Sequence, residues 1–266
     1  KKMAFVSNRT GAPQIYIQDA NSGREERLTF EGNYNTQPNW SPTGDRIVYT
    51  SMTGGQNNIF FIDLQRREPV QLTQDAGNNE SPSWSPDGRS MAITLSRDGN
   101  PEIYSLRLSD KKLKRLTTGT AIDTEPVWSP DGRSIVFTSD RGGSPQLYRM
   151  PSQGGRAQRI TFEGNYNASA DFSADGKSLA LVHGQDGHFQ IAVLDLDRGL
   201  LRVLSDGRLD ESPSFAPNGS MIIYATETGH RGVLAAVSSD GRFHQQFSLS
   251  EGNVREPVWS PFLTRK

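Results

Sequence analysis

Glu125-Pro126-Val127-Trp128-Ser129-Pro130-Asp131-Gly132 recurs, in altered form, five more times along the chain. The aromatic residue of each copy is Trp40, Trp84, Trp128, Phe172, Phe215 or Trp259, so that successive copies lie 44, 44, 44, 43 and 44 residues apart. A period this constant indicates one supersecondary unit used repeatedly, each unit burying its apolar face against its neighbours.

The repeat around Trp128 has the pattern of four short antiparallel strands. Residues 125–129 predict a first strand that ends in a Ser-Pro-Asp-Gly turn. Residues 134–139 are β-branched and aromatic, residues 146–150 alternate apolar and polar, and residues 157–161 form a shorter, more polar run. Four strands per repeat, with almost no helical periodicity, predict a propeller blade.

The last repeat contains only its first strand, because the chain ends seven residues after Trp259. Residues 3–7, 14–17 and 27–29 read as the second, third and fourth strands of a repeat that lacks its first. We therefore expect an all-β, six-bladed β-propeller of four-stranded antiparallel blades, closed by pairing of the N- and C-terminal segments in one blade. Residues 1–266 are expected to form this single domain, with the shared blade built from about 1–30 and 254–262.

Charge and composition exclude several classes of function. The formal net charge is −1, which gives no electrostatic footprint for nucleic acid or for a polybasic membrane contact. No run of about 18 apolar residues predicts a membrane span. The absence of cysteine excludes disulfides and thiolate chemistry. The strand pattern begins at the first residues of the sequence, which leaves no room for a signal peptide. A chain from which a signal peptide had been removed would begin in the same way.

Function is expected at the mouth of the central channel, where the loops that feed the innermost strands converge. If the strand before each aromatic residue is innermost, the three residues before its proline line that mouth: 35–37, 79–81, 123–125, 167–169, 210–212 and 254–256. Against one cation, Arg255, these segments hold six carboxylates: Glu80, Asp123, Glu125, Asp210, Glu211 and Glu256. Converging negative charge would favour cationic side chains of a partner, or a divalent cation such as calcium. Each carboxylate taken singly reads equally well as an ordinary loop residue.

The repeat resembles that of the TolB-type β-propeller family, most specifically over residues 160–164, 170–176, 209–219, 239–243 and 257–262. This resemblance implies a non-enzymatic, periplasmic and monomeric component of the Tol-Pal system for envelope integrity and cell division. It further implies that the propeller binds the peptidoglycan-associated lipoprotein Pal and needs no cofactor. In that family a smaller α/β domain ahead of the propeller engages TolA. Residues 1–266 hold no such domain, so contact with TolA is not expected.

Position by position, the resemblance implicates Asn78, Ser81 and Thr124 most directly in contact with Pal. Hydroxyl and amide side chains there suit a polar protein interface. The complete set of residues expected to bind the partner is Asn35, Gln37, Asn78, Asn79, Glu80, Ser81, Asp123, Thr124, Glu125, Asn167, Ser169, Asp210, Glu211, Arg255 and Glu256. No catalytic residue and no metal ligand is assigned.

Two enzymatic interpretations stay open at this point. Related repeats gate serine peptidases of the prolyl-oligopeptidase type, but the G-x-S-x-G motif of their hydrolase domain is missing from this sequence. A metal-dependent channel hydrolase, such as a lactonase, could instead use the six carboxylates.

Three further features lead to structural expectations. The four tryptophans are expected to pack between blades. The histidines, His183, His188, His230 and His244, lack metal-site spacing and are interpreted as surface residues. The segment Thr29-Phe30-Glu31-Gly32-Asn33-Tyr34-Asn35 recurs identically at 161–167, three repeats away and hence on the opposite side of a six-bladed ring.

Overall fold

The computed structural model describes residues 1–247 and 252–262. Within them the chain forms 24 β-strands, arranged as six separate four-stranded antiparallel sheets. No helix in these residues is long and apolar enough to cross a membrane. The predicted six-bladed propeller is confirmed.

Each sheet is one blade, and its strands follow one another from the channel outward. Blade I contains β24 (Val254–Trp259), β1 (Lys2–Ser7), β2 (Gln14–Asp19) and β3 (Glu25–Arg27). Blade II contains β4 (Asn35–Trp40), β5 (Arg46–Thr53), β6 (Gln56–Asp63) and β7 (Pro69–Gln71). Blade III contains β8 (Asn79–Trp84), β9 (Ser90–Leu95), β10 (Glu102–Arg107) and β11 (Leu113–Arg115).

Blades IV to VI repeat this order. Blade IV contains β12 (Asp123–Trp128), β13 (Ser134–Ser139), β14 (Gln146–Pro151) and β15 (Gln158–Arg159). Blade V contains β16 (Tyr166–Phe172), β17 (Ser178–Gln185), β18 (His188–Asp195) and β19 (Leu200–Val203). Blade VI contains β20 (Glu211–Phe215), β21 (Met221–Thr228), β22 (Arg231–Ser238) and β23 (His244–Phe247).

The two ends of the chain pair within blade I. The antiparallel register of β1 and β24 places Met3 opposite Trp259 and Ser7 opposite Val254. The Lys2 N–H also donates to Ser260 Oγ at 3.0 Å. Because this pairing closes the ring, no blade is left with an open inner edge, and the predicted closure is confirmed.

The apolar core lies between blades. Six clusters of buried side chains are present, and each draws its members from two adjacent blades. Trp40, for example, packs with Ala4 and Ile15 of blade I and with Ile47 of its own blade. All four tryptophans belong to or pack against such clusters, as expected.

The blades give the ring two distinct faces. The mouth face consists of the loops that lead into the innermost strands and the hairpins between second and third strands. The opposite face carries the remaining hairpins, including the Ser-Pro-Asp-Gly turns. In one of these turns Asp131 Oδ1 accepts the Ser129 hydroxyl at 2.6 Å and the Arg133 N–H at 3.0 Å, which fixes the turn from its side chain.

Candidate functional site

The central channel is lined by the middle of every innermost strand. Each strand supplies three consecutive residues, centred on a proline in five blades and on Ala170 in blade V. These segments are 37–39, 81–83, 125–127, 169–171, 212–214 and 256–258. The cavity they enclose has a volume of about 180 Å³. The innermost position expected for these strands is therefore confirmed.

The residue before the proline has a left-handed backbone in all six blades. These residues have φ between 50° and 54°: Gln37, Ser81, Glu125, Ser169, Ser212 and Glu256. The register of every innermost strand shifts at this point, as in a β-bulge. A proline cannot donate to the next strand, so a bulge is where a sheet accommodates it. We name these six residues the channel ring.

Long side chains of the channel ring bridge neighbouring blades. Glu256 Oε2 accepts the Gln37 backbone N–H at 2.5 Å, and Gln37 Oε1 accepts that of Ser81 at 2.8 Å. Glu125 uses both oxygens on Ser169, accepting the N–H at 3.0 Å and the hydroxyl at 2.8 Å. These side chains face the channel and at the same time hold adjacent blades together.

The first residue of each predicted tripeptide does not reach the surface of the mouth. Five of the expected partner-binding residues are at most 1% exposed: Asn35, Asn79, Asp123, Asn167 and Asp210. The expectation that they line the mouth is corrected, because each side chain lies within the protein and contacts neighbouring strands and loops.

Hydrogen bonds show what these buried residues do instead. Asp123 Oδ2 pairs with the Arg141 guanidinium at 2.7 Å. Asn35 and Asn167 each donate, at 2.9 Å, to a glutamine on the third strand of the preceding blade, Gln14 and Gln146 respectively. The two asparagine contacts tie the start of an innermost strand to the blade before it, whereas the Asp123–Arg141 pair lies within blade IV.

The second residues of the tripeptides, and Asn78, lie closer to solvent. Asn78 and Glu211 are exposed, and Thr124 is half-buried. Glu80 is half-buried, and its Oε1 accepts the Asn57 side-chain amide at 2.6 Å. Arg255 donates from Nη2 to the Tyr34 hydroxyl at 3.1 Å. The surface of the mouth thus combines the channel ring with these second residues, and their role in binding stays a prediction.

Burial changes the acidity of the mouth carboxylates. Loss of solvent raises the pKa of Glu256, an effect that the Gln37 N–H and Arg255 oppose. Partial loss of solvent around the carboxylate also raises the pKa of Glu211, although the residue is exposed as a whole, and the charge of Arg255 opposes this effect. Both groups are held in a setting that disfavours uncompensated negative charge.

Sequence reasoning missed Asp171, which lines the channel one residue beyond Ala170. Its Oδ2 accepts the Phe215 N–H of the next blade at 2.7 Å. Burial raises the pKa of Asp171 to about 6. The equivalent positions hold Asn39, Ser83 and Val127, among others, so the repeat itself gave no signal for a carboxylate here.

The expectation that all four histidines lie at the surface is wrong for His183. This residue is 4% exposed, and its Nδ1 lies 2.8 Å from Asn167 Oδ1. His183 occupies the strand slot that holds Ser51, Leu95 and Ser139 in other blades, all of them buried. Alignment of the repeats would have found it.

The described residues contain no group of three or more histidine, aspartate and glutamate side chains that could hold a metal ion. Among the six mouth carboxylates, Asp123 and Asp210 are buried within the protein. Glu125 and Glu256 accept hydrogen bonds from backbone N–H groups of the next blade. The expected channel cation stays a prediction.

Large apolar side chains are exposed in the loops of the mouth face. Loops that lead into four of the innermost strands carry Phe30 (71% exposed), Ile122 (49%), Phe162 (73%) and Leu209 (45%). Arg27 and Arg159 lie over the rings of Phe30 and Phe162, at 4.8 and 5.4 Å from their centroids. The mouth face therefore combines a polar centre with an apolar periphery.

The chain matches a family model described as the TolB beta propeller domain over residues 1–80 and 67–263. This match extends over nearly the whole chain. It rests on all six repeats and not only on the more distinctive second half.

Individual relatives agree with the family match. The Tol-Pal system protein TolB of Thioalkalivibrio sulfidiphilus is 64% identical over 84 residues, which cover 31% of this chain and 19% of that protein. The protein of the same name from Methylobacillus flagellatus is 57% identical over 79 residues, covering 30% and 18%. The crystal structure of TolB from Acinetobacter baumannii superimposes with a TM-score of 0.92 at 41% identity, covering 98% of this chain and 66% of that one. The chain thus spans only part of the length of these relatives.

Proposed function

This chain belongs to the TolB β-propeller family, and from that premise we propose that it is a non-enzymatic protein-binding module of the Tol-Pal system. Its ligand in this proposal is the peptidoglycan-associated lipoprotein Pal, which docks on the mouth face. The place of action is the periplasm, and the process served is envelope integrity and cell division.

The observation that carries the proposal is the composition of the mouth face. Exposed Phe30, Ile122, Phe162 and Leu209 surround a channel ring of polar side chains. Aromatic and aliphatic anchors beside satisfied polar groups are typical of protein interfaces. Their spread over four blades fits a protein surface better than a small molecule, which would be enclosed in one concave pocket.

The use of the channel carboxylates favours binding over catalysis. Glu125 and Glu256 accept hydrogen bonds from backbone N–H groups of the next blade. A hydrogen-bonded carboxylate can still accept a proton, but both of these side chains serve as links between adjacent blades. We therefore assign no reaction and no cofactor to the channel.

The test is a calorimetric titration of this chain with the soluble domain of Pal, lacking its lipid anchor. We expect saturable binding that Phe162→Ala weakens at least about fivefold, as truncation of an interface aromatic anchor does. Phe243→Ala is the matched control, because Phe243 is 53% exposed but belongs to a hairpin of the opposite face. Absence of binding by a chain whose far-ultraviolet circular dichroism and cooperative melting are intact refutes the proposal.

A further inference from the structure

A second cavity opens from the channel ring toward blades V and VI. Its volume is about 410 Å³, and it lies on the mouth side of the channel, since its lining includes Gln37, Glu125 and Glu256 but none of the residues that follow the central prolines. Away from the axis its wall is formed by Tyr166, Phe189 and Leu209. We name it the off-axis pocket.

The apolar wall of the off-axis pocket is held in place before any ligand arrives. The rings of Tyr166 and Phe189 meet edge to face, with centroids 5.1 Å apart and planes at 90°. Leu209 bridges to Phe189 in a short parallel β-contact, in which the Asp210 N–H donates to Phe189 O at 2.8 Å. A pre-formed wall of this kind reduces the entropy lost when a side chain binds.

The opposite wall is acidic. Four carboxylates border the pocket, the accessible Glu125, Glu211 and Glu256 and the almost wholly buried Asp210, against the single cation Arg255. Arg255 is already engaged, because its Nη2 donates to the Tyr34 hydroxyl at 3.1 Å and its Nε lies 3.6 Å from Glu256 Oε1. The pocket therefore carries excess negative charge that the described residues do not neutralise.

Asp210, which also borders the pocket, is held by the protein's own groups. It is 1% exposed, and its Oδ2 accepts the Ser205 hydroxyl at 2.5 Å. The Gly207 N–H and the Thr226 side chain also act on its carboxylate, and burial, against these hydrogen bonds, raises its pKa. Asp210 is therefore an internal carboxylate with partners of its own, and the carboxylate left for a bound cation is Glu211.

We infer that the off-axis pocket receives one cationic side chain, an arginine or lysine, from the protein bound at the mouth. Its aliphatic stem lies along Tyr166 and Leu209, and its charged head approaches Glu211, the carboxylate for which no described residue supplies a hydrogen bond. An alkyl stem suits the apolar wall and a guanidinium or ammonium suits the acidic one, so a single side chain satisfies both. The ring of Tyr166 adds a cation–π contact for the same charge.

This inference rests on the proposed function for the source of the side chain, but its chemistry can be tested without Pal. The probe is N-acetyl-arginine amide, titrated into the 15N-labelled chain and followed by shifts of the amide resonances of residues 209–212. The neutral isostere N-acetyl-citrulline amide is the control ligand. We expect arginine amide to shift these resonances and citrulline amide to bind at least about tenfold more weakly, because only the former pairs with a carboxylate.

Matched variants locate the site. Glu211→Gln keeps the shape of the side chain but removes its charge, and it should lower the affinity for N-acetyl-arginine amide at least about tenfold. Glu31→Gln removes an exposed charge from the mouth-face loop of blade II, at a residue that does not line the pocket, and should change the affinity for arginine amide less than about twofold. Failure of arginine amide to bind the parent chain, or equal binding of citrulline amide, overturns the inference.

The same variants separate this inference from the proposed function. If Pal does not bind but arginine amide binds in a Glu211-dependent manner, the proposed function fails and the pocket assignment stands. If Pal binds the parent and Glu211→Gln with equal affinity, the proposed function stands and the claim that Pal inserts a cation here is overturned. Binding of Pal that weakens in Glu211→Gln, with a reduced dependence on salt concentration, supports both.

Discussion

Glu256 accepts a hydrogen bond from the backbone N–H of Gln37, with Oε2 and N 2.5 Å apart, although the two residues are separated by 219 positions in sequence. The bond crosses from blade I to blade II beside the channel. Blade I is also where the chain ends meet, so this contact joins the closing blade to the next one around the ring. The corresponding bond from Gln37 to Ser81 continues the connection to blade III.

Loss of this bond should weaken the ring. Glu256→Ala removes the acceptor and leaves the Gln37 N–H unpaired, so we expect the free energy of unfolding to fall by about 1–3 kcal/mol. Glu256→Gln keeps an acceptor oxygen at the same reach and should cost clearly less. Urea denaturation at pH 7 measures both. Equal losses for the two variants would contradict a role for this hydrogen bond in closing the ring.

The pH dependence of stability should reveal Asp171. Burial raises the pKa of Asp171 from 3.8 to about 6 in the folded chain. Between these values the folded chain binds a proton that the unfolded chain has lost, so this group lowers the free energy of unfolding as pH rises from about 4 to about 6. The asparagine of Asp171→Asn cannot ionise, so the variant should not show that fall. Above pH 6 its free energy of unfolding should exceed that of the parent by up to about 3 kcal/mol.

The measurement is the difference in unfolding free energy between variant and parent from pH 3 to pH 8, because other carboxylates titrate in both. Asp131→Asn is the control of opposite sign. The Ser129 hydroxyl and the Arg133 N–H lower the pKa of Asp131, so its contribution is present above its unfolded pKa and is lost as pH falls through its folded pKa. A difference for Asp171→Asn that stays flat between pH 4 and 6 would contradict the buried, neutral state.

The repeat predicted the fold because each blade needs the same alternation and the same turns. The 44-residue spacing located all six innermost strands, and the missing first strand near Met3 predicted closure by Trp259. Side-chain direction was not predictable in this way. The bulge turns the channel-ring residue toward the axis, while the residue two positions earlier lies inside the protein. Asn79 and Asp123 were therefore wrongly expected at the surface of the mouth.

His183 should contribute to stability through Asn167. Its Nδ1 lies 2.8 Å from Asn167 Oδ1, whereas in blade II the equivalent Ser51 is too short and Asn35 Oδ1 has no partner. His183→Ser should therefore leave Asn167 Oδ1 unpaired as well and lower the free energy of unfolding by about 1–3 kcal/mol. Thermal unfolding at pH 7.5 measures it, with His244→Ser, an exposed position, as the control. A loss no larger than that of the control would show that the His183–Asn167 contact is not stabilising.

Two glycines in identical sequences should respond differently to alanine. Gly32 and Gly164 occupy the same place in the duplicated segment, with φ of 79° and 70°. A Cβ atom at Gly164 would lie 2.5 Å from His183 Cε1 and 2.9 Å from Gly184 O, whereas at Gly32 its nearest neighbour is Ser51 Oγ at 3.0 Å. Both substitutions carry the cost of a left-handed alanine, about 1–2 kcal/mol, but only Gly164→Ala also forces a ring and a backbone oxygen apart. We expect Gly164→Ala to be the more destabilising of the two in urea denaturation.

The double variant Gly164→Ala/His183→Ser is the control for the histidine ring. If it loses no more unfolding free energy through Gly164→Ala than Gly32→Ala costs, the ring is the cause of the excess. Equal losses for the two single glycine variants would contradict the difference in packing.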